Sequence, residues 1–174
     1  LKDRTLFSIT LGLSDGIITS LMIAAAALSS LTSIGMTEAL RIGAGSATVG
    51  GFSFFIAEYA RLRGEVFRMS RQLAMDSPRR LMRSRIGVEI TEEALEGTAI
   101  AGVSGFLGSM IPLATDALLP DYHILPFSVA IIALAFLGIG LARSISGNYT
   151  IWAVGMSAVG IVMSYVGIFL HIVS

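Results

Sequence analysis

Apolar residues run in five long segments, near 6–30, 38–60, 98–119, 125–143 and 150–172. Crossing a bilayer takes roughly 20 residues as helix, so each segment predicts a membrane span. The connections are short except one, the polar stretch 61–97. Within it the second apolar run continues through Leu62, Val66, Phe67, Met69 and Leu73, with arginines interleaved. Ser77-Pro78 then reads as a helix start, because Ser caps and Pro suits the first turn. A short basic helix is expected to follow and to stop at Gly87. Thr91 is expected to cap a further start, with Glu92 and Glu93 in its first turn. No repeat or low-complexity tract interrupts the pattern. The expected architecture is an all-α integral membrane protein of one membrane domain. Residues 1–60 hold helices one and two, 61–97 a small helical cytoplasmic lobe, and 98–174 helices three to five.

Composition supports lipid as the main solvent. The 174 residues are 54% hydrophobic and only 14% charged, against about 25% charged in soluble domains. Mean hydropathy is +0.80. Cysteine is absent, which excludes disulfides, thiolate metal sites and Fe–S clusters. The first apolar segment is too long for a signal-peptide core of about 7–15 residues.

Net charge is zero, yet its distribution is uneven. Lys2 and Arg4 precede span one, eight arginines lie in 61–97, and Arg143 sits at the turn between spans four and five. All three regions share a side in a five-span chain, and only Arg41 falls near the other. The positive-inside rule then places the N-terminus in the cytoplasm and the C-terminus outside. Asp116, Asp121 and His123 fall on the outer side, and Tyr149 and Trp152 near the inner interface. The membrane would be the plasma membrane of a prokaryote, or a vacuolar or other organelle membrane of a eukaryote.

One acid interrupts the first apolar run. Asp15 sits in Gly12-Leu13-Ser14-Asp15-Gly16-Ile17. A charge at such depth costs several kcal/mol, and intramembrane acids usually mark ion or proton paths. The bland alternative is a cap at a Gly-flanked helix break. Span two returns toward the inner side and carries Glu58, which antiparallel packing would bring to a similar depth. Two facing carboxylates can hold a divalent cation through hard oxygens or exchange it for protons. Glu58 could instead pair with Arg61 or Arg63, a bond worth about 0–1 kcal/mol.

A second acidic set, Glu89, Glu92, Glu93 and Glu96, falls on one helix face by spacing. A metal ion would relieve its repulsion, while favourable N-terminal dipole placement or nearby arginines would serve as well. The methionines read as packing residues, with Met22 singled out as a possible thioether ligand. His123 and His171 are isolated. The arginine-rich surface reads as an anchor against anionic headgroups, and nucleic acid is not an expected partner. No catalytic triad, phosphate loop or zinc-protease helix is present, so an enzyme is not expected. Gly102, Gly105 and Gly108 lie along one side of span three. They favour close helix packing, within the chain or across a dimer. Pro112 would kink that span and free a carbonyl.

These features resemble the vacuolar iron transporter family. Gly12-Leu13-Ser14-Asp15-Gly16-Ile17-Ile18-Thr19 resembles its Asn-Asp-Gly opening, and Ala57-Glu58-Tyr59 its Gly-Glu-Tyr. Ser104 through Leu113 resembles its Gly-x-x-Ile-Pro-Leu span. The five-span, N-inside layout with a lobe after span two matches as well. The resemblance implies a homodimeric exchanger that moves Fe2+ or Mn2+ out of the cytosol against protons. It also implies Asp15 as a path carboxylate and glutamates that gather metal, with no permanently bound cofactor. Phe54 stands where the family has Met, and Ser46 where it has a further Glu. The lobe here is shorter and richer in arginine. The alternative expectation is a non-transporting scaffold or lipid-contact protein of the same fold.

Overall fold

The structure is a computed structural model that describes residues 2–29, 34–72, 85–119, 121–122, 124–144 and 147–170. Among these residues are five helices in chain order: α1 (Lys2–Ser29), α2 (Met36–Gln72), α3 (Arg85–Leu118), α4 (Leu125–Ser144) and α5 (Tyr149–Leu170). All five are long and apolar enough to cross a membrane, which makes this an integral membrane fold by length and composition. An all-helical solution suits a bilayer, since a helix pairs its backbone polar groups within its own segment.

The helix α1 is the hub. It packs against all four others, most extensively against α3. The α4–α5 hairpin covers one side of α1, while α2 packs only on α3 and, lightly, on α1. Glycines set these contacts. A Cβ on Gly16 would collide with the Gly105 carbonyl oxygen, and one on Gly12 with that of Ala101. A Cβ on Gly108 would lie 2.5 Å from the Leu13 carbonyl oxygen. The two backbones therefore touch, as small residues permit in membranes. Gly167 approaches Met22, and Gly138 approaches Trp152, in the same way. Two buried hydroxyls bond within their own helices: Ser20 Oγ donates to Gly16 O at 2.6 Å and Ser109 Oγ to Phe106 O at 2.8 Å. Helix α3 continues through the buried Pro112.

Two helices exceed the membrane requirement. With 37 and 34 residues, α2 and α3 measure about 55 and 51 Å at 1.5 Å per residue. Beyond the spans they keep packing through Leu62, Ile90 and Ala94, with Phe55, Tyr59 and Val66 alongside. This corrects the reading of 85–97. Gly87 does not stop a helix and Thr91 does not cap one, because α3 runs unbroken from Arg85. The Thr91 hydroxyl donates back to Gly87 O at 3.0 Å, a mid-helix bond rather than a cap. Burial of Ile90 and Ala94 against α2 holds the helix through the glycine. The expected start at Ser77-Pro78 lies outside the described residues, as do His123 and His171.

Candidate functional site

Where α2 leaves α1, a cavity of about 840 Å³ opens between them, backed by Ala101 and Gly105 of α3. It follows from the glycine register. Gly12 and Gly16 draw α1 onto α3, and Gly43 and Gly51 draw α2 onto the same helix. The α1–α2 side stays apart, and apolar Phe7, Leu11, Ile18, Val49 and Phe54 line much of the gap.

Asp15 lies in this cavity, exposed to it rather than to α3. Its carboxylate faces Gly50, where an added Cβ would sit 2.7 Å from Oδ2. Among the described residues that carboxylate has no hydrogen-bond or ion-pair partner. The glycine is what makes room for it. Gly50→Ala is therefore expected to push the carboxylate aside without disturbing the backbone. The melting midpoint in detergent should be unchanged, because only the far end of the Asp15 side chain has to move.

Glu58 and Arg61 line the same cavity nearer the basic end of α2. Glu58 is eight residues beyond Gly50, about 12 Å along the helix. The expected similar depth of Asp15 and Glu58 is thus corrected. The inter-helix register, fixed by glycines, places Gly50 at that level instead. Glu58 takes the bland alternative, a forked pair with Arg61: Nε donates to Oε2 at 2.8 Å and Nη2 to Oε1 at 2.5 Å. Arg61 Nη1 donates in turn to Glu65 Oε1. The cation is held by two carboxylates, and the acid left over in the cavity is Asp15.

The opposite end of the cavity is apolar. Ile23 and Ile42 line it there and pack against Ala27, Ile34, Ala39 and Leu113. The Ile34 amide donates to Asp116 Oδ2 at 3.0 Å, which ties the α1–α2 connection to α3. Asp116, read from sequence only as a loop acid, is in fact a structural acceptor.

The remaining candidates lie elsewhere. Met22 is not brought to the cavity; its backbone meets Gly167 on the α5 side of α1. Glu89, Glu92, Glu93 and Glu96 lie in the N-terminal part of α3, where Arg85 Nε donates to Glu89 Oε1 at 3.1 Å. No three His, Asp or Glu residues gather closely enough to hold a metal ion among the described residues. Gly105 and Gly108 face α1, and Gly102 faces Ala47 of α2. Phe54 and Ser46 both line the cavity. Sequence reading missed Gly50 and the α1 glycines as spacers. The four-residue spacing of Gly12 and Gly16 was the signal for a contact stripe on α1. Compared with known protein families and with curated proteins, the chain matches none.

Proposed function

We propose that this protein is a membrane carrier in which Asp15 binds the transported cation and exchanges it for protons. The observation that carries the reading is the Asp15 carboxylate, unpartnered among the described residues, in a cavity lined toward one end by the exposed Arg61 and toward the other by Ile23 and Ile42. The family-like motifs make the cargo a divalent metal, Fe2+ or Mn2+, moved out of the cytosol. In this reading the N-terminus and the basic ends of α2 and α3 are cytoplasmic. The chain works as a homodimer, and the arginines touch anionic headgroups. Cation reaches Asp15 from the basic end. Release requires the Ile23–Ile42 end to part, with protonation of Asp15 discharging the ion.

The test is flux. In proteoliposomes an imposed Mn2+ gradient should drive opposing proton movement above that of empty vesicles. No Mn2+-dependent proton movement would instead favour a non-transporting scaffold. Phe54 and Ser46, cavity positions without metal-binding character, are the observations favouring that second reading. The glutamates of α3 are proposed as a metal-gathering surface at the cytosolic end. Replacing Glu89, Glu92, Glu93 and Glu96 with Gln should remove the weaker class of Mn2+ sites in calorimetry. Unaltered binding would leave them as acids favoured by the helix dipole and by nearby arginines.

A further inference from the structure

We infer that the Asp15 cavity binds a lipophilic organic cation, an onium ion with a bulky apolar body, as well as a bare metal ion. The inference rests on the reading of Asp15 as the cation-binding group and adds a ligand class to it.

Size is the first argument. A volume of about 840 Å³ falls in the range of small-molecule pockets, roughly 300–1,000 Å³, and far exceeds what one ion fills. Coordination is the second. Hard divalent ions seek about six or more oxygen ligands, yet no group of three acids or histidines gathers here among the described residues. An onium ion spreads its charge and asks for one counter-charge and apolar or aromatic surface. The cavity offers that combination. Phe7, Leu11, Ile18, Val49 and Phe54 give the walls, and Asp15 gives the charge. Arg61 does not cancel that charge, because Glu58 and Glu65 both hold it.

Access is the third argument. Phe7 and Val49 border the cavity and are 54% and 69% exposed. The opening thus lies along the sides of two membrane-length helices, facing the lipid in which lipophilic cations concentrate. A lipid acyl chain could fill the walls, but it would leave the carboxylate without a counter-charge.

The probe is tetraphenylphosphonium, measured by equilibrium dialysis against the full chain in detergent. Saturable binding is expected. Asp15→Asn should weaken it about tenfold or more, and Val49→Trp, which fills the cavity from an exposed position, by a similar factor. Mn2+ should compete with it. Triphenylmethane, a neutral aryl body without a hydrogen-bonding group, should show no difference between wild type and Asp15→Asn. Absence of saturable binding to the wild type, or equal binding to Asp15→Asn, would overturn the inference. Because Mn2+ flux is read separately, either result leaves the metal-carrier reading standing. Conversely, phosphonium binding without Mn2+ flux would overturn only the metal cargo.

Discussion

Asp15→Asn is expected to abolish Mn2+-driven proton movement while leaving the protein folded. The substitution keeps the shape and removes the charge. A cation facing Asn loses its counter-charge in a low-dielectric setting, a loss of about 3–5 kcal/mol by analogy with broken buried pairs. That is about a hundredfold or more in affinity. Fold stability should move the other way or not at all. An ionised acid in a membrane costs several kcal/mol, and Asp15 recovers none of it through a partner among the described residues. The melting midpoint in detergent should therefore hold or rise. Lost flux with a preserved midpoint separates a transport defect from misfolding. Retained flux would remove Asp15 from the path.

Gly16→Ala carries the largest expected effect on stability. Its new methyl group would land on the Gly105 carbonyl oxygen, part of the backbone of α3, which cannot rotate away. The hub helix must move off α3, and the contacts of Gly12 and Gly108 open with it. Overpacking of this kind costs about 1–3 kcal/mol, roughly 4–8 °C in a chain of this size at the middle of that range. Gly140→Ala is the control, since a Cβ there meets nothing within 4 Å. The same substitution should then be neutral or slightly stabilising, because Ala is the better helix former. Equal midpoints for the two variants would show that α1 and α3 do not meet at Gly16.

The five helices were legible in the sequence because a bilayer-length apolar run has few other uses. The continuation of α2 past Arg61 was legible as well, from Leu62, Val66 and Phe67. The start of α3 was not. Gly87 and Thr91 carry the local marks of a stop and a cap, and only contact of Ile90 and Ala94 with Leu62 overrides them. The glycines of α3 announced close packing, but a stripe of small residues does not name its partner. Asp15 stood out by energy alone. Its neighbour did not, because helix register is set by close contacts at Gly43, Gly50 and Gly51 that no local pattern encodes. An error of about 12 Å in that register is the difference between a facing carboxylate, as expected of Glu58, and a facing glycine. The cavity followed the same logic: it exists where the small residues of α1 and α2 turn toward α3 and away from each other.

The cysteine-free chain allows the proposed seat of a cation at Asp15 inside this cavity to be tested directly. Ser46→Cys places a single thiol on the α2 wall of the cavity. Its labelling by a small water-soluble maleimide should be slowed by Mn2+ when Asp15 is present. In the Asp15→Asn background Mn2+ should make no difference. Labelling indifferent to Mn2+ in both backgrounds, or slowed equally in both, would contradict the account.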